Sequence, residues 1–438
     1  MVKNVAIRAY GVSMALLIVC LLASIFVPFF NYLSGTFALL CLGLGLLTLK
    51  HLPTRIAATL LVIAGVSMLA VTYSATGEGL SFEHLLSMNQ ELAGMTSCVV
   101  FLRLITGGRA GEADKGVGAK EVRRTGFINH AISSVINIIS VGIIADRIKG
   151  DKPLTIKDAS LLSSTYGLGA FWSPFWVAAA AAGVLMPGAN TILQIGIGGF
   201  AAIICLFIAT WWNIRTRTPE ELQAFTGYQP SFRLLRVPMS MVLFVLLTHL
   251  LFPEISIPKL VVAGALLVTL IGAIGIHGLR GVPIMVIHGI KNLPISRTEG
   301  TLFIAAGILT IGFRALQNVV HIQVPLTEFT PLVAWGMIIV MIIVSLLGVH
   351  PVISSAIIVG LLANIQIDPT MFVLSVLIGW SLASIVGPIS GLLNYLNGQY
   401  GIPNFRLVKE NMPIVLFSVV VSLPILYLAE YVIGIWGN

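Results

Sequence analysis

From Gly11 to Phe30 the chain reads GVSMALLIVCLLASIFVPFF, an uncharged apolar stretch. Comparable runs recur at 56–75, 190–213, 259–276 and 413–436. About 20 apolar residues are what a helix needs to cross a bilayer. Hydrocarbon offers no hydrogen bonds, so a spanning chain must satisfy its backbone internally, as a helix or a closed barrel. The runs are continuous rather than alternating, which selects helices. Charged residues make up 10% of the chain, against roughly a quarter in soluble domains. The sequence therefore predicts an all-α polytopic membrane protein with the lipid bilayer as its surroundings.

Cys20, Cys41, Cys98 and Cys205 fall singly within apolar runs and read as small buried hydrophobes. The basic N-terminus followed by an apolar run has the outline of a signal peptide. It lacks a small-residue cleavage site and is read as a retained first span.

The net charge of +8 is explained by topology, not by nucleic acid. Lys and Arg gather on the cytoplasmic side of membrane proteins. One threading, with about 11 transmembrane helices and with 126–146 and 331–364 treated as re-entrant hairpins, leaves only Lys259 and Arg314 away from that side. If 126–146 crossed the membrane, Arg147, Lys149, Lys152 and Lys157 would be placed outside. The expected topology has the N-terminus cytoplasmic and the C-terminus outside, in a plasma (inner) membrane.

Both hairpins carry polar residues amid hydrophobes. Aligning Asn129 with His350 places NHAISSVI over HPVISSAI and matches Ser133 with Ser354 and Ser134 with Ser355. Downstream, YGLGAFWSPFW aligns with WSLASIVGPIS when Pro174 meets Pro388. The threading turns the two copies upside down relative to each other, an inverted-topology repeat. Such repeats with interrupted helices near the midplane are a common build of secondary transporters. The expected organisation is N-terminal scaffold helices over 1–104 and a first transport half over 105–213. Scaffold and linker helices follow over 214–316, then a second transport half over 317–438.

Proline lacks an N–H and frees backbone groups of the preceding turn, so Ser173-Pro174 and Gly387-Pro388 are expected breaks. Freed carbonyls and half-helix N-termini can hold a cation and an anion respectively. The candidate solute and ion contacts are Asn129, His130, Ser133, Ser134, Asn137, Ser173, Pro174, His350, Ser354, Ser355, Gly387, Pro388 and Asn394. A single membrane serine more often bonds back to its own helix; here the repetition in matching contexts favours a site. His130 and His350 do not align with each other, and ligand, proton-carrier and structural roles stay open for both. Asn394 could contact solute or join helices. Apart from Glu91 and Glu430 the spans are nearly free of carboxylates, which argues against a carboxylate-driven proton antiporter. It suits Na⁺ held near Ser133, Ser134, Ser354 and Ser355.

With these hairpins and breaks in this order, the sequence resembles the ion transporter superfamily, and within it the divalent anion:sodium symporter architecture. That family carries Ser-Asn-Thr at its hairpin tips; Ile132-Ser133-Ser134 and Ile353-Ser354-Ser355 stand there in this chain. The resemblance implies sodium and carboxylate contacts at those serines and at the two breaks, and a homodimer. The function expected is sodium-coupled secondary transport of a small, anionic, carboxylate-like solute. The alternative is an ion exchanger or oxyanion exporter of the same superfamily. An intramembrane enzyme finds no support: HExxH, GxSxG and paired intramembrane aspartates are all missing.

Overall fold

The computed structural model describes residues 2–49, 52–77, 86, 89–106, 116–136, 138–228, 232–317, 319–320, 326–362 and 365–436. The chain is almost entirely helical there. It begins with α1 (Val2–Ala23), α2 (Phe29–Thr48), α3 (Leu52–Thr76) and α4 (Gln90–Thr106). Next come α5 (Ala119–Ile136), α6 (Ile139–Lys149), α7 (Ile156–Gly167), α8 (Val177–Leu185), α9 (Thr191–Arg215) and α10 (Pro219–Ala224). Then follow α11 (Phe232–Leu251), α12 (Ile257–His277), α13 (Gly281–Asn292) and α14 (Arg297–Gln317). The last are α15 (Pro331–Leu346), α16 (Pro351–Leu361), α17 (Pro369–Val386), α18 (Gly391–Tyr400) and α19 (Asn404–Trp436). Among the described residues, 7 helical stretches are long and apolar enough to cross a membrane.

The helices group into two compact units, residues 1–109 with 236–324, and residues 110–235 with 325–438. In the first, α3 and α14 approach so closely that a Cβ on Gly312 would lie on the carbonyl oxygen of Gly65. Small residues that let backbones touch are the usual means of packing helices in lipid, where hydrophobic burial gives little drive. Lys259 on α12 pairs with Glu91 on α4 at 3.6 Å, and Ser256 donates to the same carboxylate at 2.6 Å.

The second unit contains one pattern twice. A helix pair joined by a tight turn (α5–α6, α15–α16) leads to an interrupted helix (α7–α8, α17–α18) and then a long helix (α9, α19). Start signals explain several boundaries. Thr330-Pro331, His350-Pro351 and Asp368-Pro369 each place a capping side chain before a proline at the first helical position. Two hydrogen bonds fix the relative direction of the copies. The backbone N–H of Asn190, beyond the far end of α8, donates to Thr370 at the start of α17 (2.9 Å). The hydroxyl of Tyr400, at the end of α18, donates to Asp146 near the end of α6 (3.0 Å). The two interrupted helices therefore run in opposite directions.

Two sequence expectations change here. The first helix pair begins at Ala119, not near 126, because Glu121, Val122 and Thr125 are buried while Arg123 and Arg124 face outward. The serine pairs are also not equivalent. Ser133 and Ser134 lie on the last turn of α5, before its turn, whereas Ser354 and Ser355 lie near the start of α16, after its own. The sequence match ISS/ISS slid one arm of a helix pair onto the other. Aligned through the break prolines, Gly169 corresponds to Ala383. Ser134 lies beside Gly169, and Ser345 donates to the carbonyl of Ala383 (3.1 Å), so Ser345 takes at the second break the place that Ser134 has at the first.

The long helix α9 rides directly on the first break. A Cβ on Gly198 would lie on the carbonyl oxygen of Phe171, whereas one on Gly196 would meet nothing. Gly198→Ala should therefore lose about 1–3 kcal/mol to overpacking. Gly196→Ala, on the same helix, should be neutral or gain up to ~1 kcal/mol in helix propensity. Melting curves of the two purified variants check this contrast.

Candidate functional site

The first break is a short non-helical turn between two helical pieces. After Gly167 the helix tightens into a 3₁₀ turn over Leu168–Phe171, and Trp172 then leaves the helical region. Pro174 cannot donate and biases Ser173 away from helix. Helix resumes at α8, where Trp176 sits at the capping position and no side chain caps the N-terminus.

The end of α5 closes on this break. Ser173 Oγ donates to the carbonyl of Ser134 and accepts from the N–H of Phe175 (3.2 Å). Ser133 and Ser134 both donate to the carbonyl of His130, at 3.1 and 2.7 Å. Their protons are thereby engaged in their own helix, and what they offer outward is lone pairs.

His130 is held at both nitrogens. Nε2 accepts from the indole N–H of Trp172 (3.2 Å), and Nδ1 lies 3.1 Å from the carbonyl of Thr165. Accepting at Nε2 requires a lone pair there, so the proton is assigned to Nδ1, which donates to Thr165. His130 thus clamps α5 to α7 and keeps no ring nitrogen for a solute. Asn129, fully buried, donates to the carbonyl of Leu162 (2.9 Å) and to Thr165 Oγ1 (2.8 Å). Its Oδ1 is buried and has no hydrogen-bond partner. Asn137 lies outside the described residues.

The second break is more completely satisfied by the protein itself. Gly387 leaves α17 in an extended conformation, and a Cβ there would lie 2.5 Å from Ser345 Oγ, so the helix pair presses directly on the break. The carbonyl of Pro388 accepts from Asn404 Nδ2 (2.7 Å), and that of Ile389 from Asn394 Nδ2 (3.0 Å). Asn394 Oδ1 also accepts from Asn404 (2.8 Å), which makes Asn394 a joint between α18 and α19. Ser390 caps α18 by accepting from the N–H of Leu393. Ser354 and Ser355 bond back to Pro351 and Val352, each at 3.0 Å. His350 caps α16 through Nδ1, which accepts from the N–H of Val352 (3.2 Å), and its ring meets the edge of Trp380.

The two breaks therefore differ. Each copy leaves one buried asparagine oxygen without a partner, Asn129 Oδ1 and Asn404 Oδ1. At the first break an unpartnered donor is added, the indole N–H of Trp176. Among the described residues no group of three or more His, Cys, Asp and Glu side chains could hold a metal ion. Neutral oxygens are what the site has to offer a cation.

Two features of this unit escaped the sequence reading. Asn411 on α19 is fully buried and joins three helices. It accepts from Ser160 (2.8 Å) and donates to Ser163 Oγ (2.9 Å) and to the carbonyl of Ile385 (3.0 Å). The interrupted helices also meet directly, where Ser381 donates to the carbonyl of Gly167 (2.7 Å). Asn411 directly follows Lys409 and Glu410, so in the sequence it reads as part of the polar edge of a span, and the crossing has no local signal.

A polar arm closes the base of the unit. Thr218 and Glu221 form a reciprocal capping box on α10. Lys157 reaches the carbonyl of Thr216 (2.7 Å) and Glu221 (2.6 Å), and it holds the Glu221 carboxyl below its ordinary range, helped by the Thr218 N–H. Arg217 lies 2.9 Å from Asp158 in the first turn of α7 and stacks on Phe225 at 5.0 Å. The chain then bridges Thr226 to Val117, and Tyr228 donates its N–H to Thr125 (2.9 Å).

No protein-family profile matches the chain, and no curated protein does. Among solved structures, the YdaH transporter of Alcanivorax borkumensis, described as having an unusual topology, is similar in outline. It is 15% identical over 87% of this chain and 98% of its own, with a TM-score of 0.42. So low an identity and TM-score transfer neither a site nor a solute.

Proposed function

We propose that this chain is a secondary active transporter that carries a small anionic solute, a carboxylate or oxyanion, together with sodium. The observation that carries the reading is the pair of oppositely directed helix pairs, each closing on an interrupted helix inside one compact unit. An inverted repeat around broken helices is the arrangement by which transporters expose one site alternately to two sides. The unpaired oxygens of Asn129 and Asn404 suit a sodium ion, which takes neutral carbonyl-type ligands at such breaks. The uncapped start of α8 suits the anion, because its free N–H groups carry partial positive charge. Ser133, Ser134, Ser354 and Ser355 add lone pairs for the cation. In this reading the N-terminus is cytoplasmic, the C-terminus is outside, and the host is a plasma (inner) membrane.

Purified protein reconstituted into sealed vesicles tests this with labelled succinate, citrate and sulfate. An inward sodium gradient should drive uptake of at least one of them, and replacing sodium by choline should abolish it. Uptake that follows a pH gradient and ignores sodium would overturn the coupling. Sodium-driven movement in the outward direction alone would favour the exporter. No flux of any of the three would overturn the anionic solute.

A further inference from the structure

We propose that the indole N–H of Trp176 is the donor to an anionic oxygen of the solute, at the first break where α8 begins without a cap. The inference rests on the transport reading above and names the recognising group. Trp176 is 6% exposed, and its Nε1 has no hydrogen-bond partner. A buried indole N–H ordinarily finds one, and other tryptophans of this unit follow that rule. Trp172 donates to His130 (3.2 Å) and Trp335 to the carbonyl of Val419 (2.8 Å).

Geometry directs the orphan donor into the break. The Trp176 ring is held against Tyr166, with centroids 4.7 Å apart. A Cβ on Gly169 would lie 3.0 Å from Trp176 Nε1 and 3.0 Å from Ser134 Oγ, so both polar atoms press close on the backbone of this glycine. The indole therefore stands against the 3₁₀ turn and at the uncapped start of α8. Its chemistry is selective. An indole N–H has no lone pair, so it donates to a carboxylate or oxyanion oxygen and offers a bare cation nothing. The hydroxyl proton of Ser134 is already engaged with His130, which leaves the oxygen as an acceptor beside that donor. A buried donor that can be satisfied only by solute penalises a ligand lacking the matching oxygen, which is how such groups confer specificity.

Thermal melting of the full-length purified protein tests this, with succinate, citrate and sulfate as probes in sodium buffer. At least one should stabilise the wild type by mass action. Trp176→Phe keeps the ring against Tyr166 and removes only the N–H. Its ligand-free melting temperature should match the wild type, because the N–H has no protein partner. Its apparent affinity for the stabilising anion should fall about tenfold to a hundredfold, the worth of one hydrogen bond to a charged group. Gly169→Ala, whose methyl would crowd Trp176 Nε1, should weaken the same anion and serves as the second variant if Trp176→Phe folds poorly. Wild-type affinity in both variants overturns the inference and leaves the transport reading standing; the N–H then faces no more than a structural water. If the wild type answers to none of the anions, the anionic solute and the Trp176 role fall together.

Discussion

Arg217→Leu should destabilise the second unit by about 3–5 kcal/mol, the usual loss when one partner of a buried ion pair is removed. The expectation follows from burial. The side chains of Arg217 and Asp158 are 3% and 13% exposed, and the guanidinium lies 2.9 Å from the carboxylate. Leucine would leave Asp158 charged, desolvated and without its counterion in the first turn of α7. The attraction itself is not what the change measures, since desolvation of both charges offsets most of it. The double variant Arg217→Leu/Asp158→Leu should therefore recover most of the loss. Lys157→Ala is the contrast: its partner Glu221 is 43% exposed, and exposed pairs contribute roughly 0–1 kcal/mol. Equilibrium unfolding in detergent micelles measures all three. A silent Arg217→Leu would mean that Asp158 is hydrated and that the arm does not lock the base of α7.

Asn411→Leu should lose about 2–4 kcal/mol. Interhelical hydrogen bonds in membranes average near 0.6 kcal/mol, yet a buried group left unpaired costs about 1–3 kcal/mol. This change strands Ser160 Oγ, Ser163 Oγ and the Ile385 carbonyl together. The three lie on α7 and α17, so the loss is of the joint that ties both interrupted helices to α19. Ser422→Ala supplies the control on the same helix: its hydroxyl donates to Val419 of its own helix (2.7 Å), so little should change. Melting curves of the two variants decide it. Equal, small effects would show that α7, α17 and α19 hold their positions by apolar packing alone.

The polar residues that marked the site in the sequence divide by structural role. Ser133, Ser134 and Ser173 lie together at the first break, and Asn129 is bonded to α7 ahead of it. His130 and Asn394, marked in the same way, have their side-chain groups bonded within the fold and act as clamps. Composition cannot separate these cases, because a polar side chain in lipid needs partners whether they are solute or protein. The misplacement of the serine pairs has a related cause. Short apolar segments align in several registers, and only the position of the turn says which arm a residue is on. Ser345, which takes the place expected of Ser354 or Ser355, sits in an ordinary apolar run.

By itself the sequence determined that this chain is helical and membrane-embedded, that helices break at Pro174 and Pro388, and that polar residues cluster beside those breaks. Each follows from local physics: apolar runs long enough to span, prolines that cannot donate, and caps such as Thr330-Pro331 that start a helix. Tertiary structure alone decided which break keeps an unpaired donor. Asn404 reaches back to the Pro388 carbonyl and Ser390 caps α18, while Trp176 caps nothing and its N–H meets no acceptor. Whether a polar group is satisfied depends on atoms far away in the chain, and no window of sequence contains them.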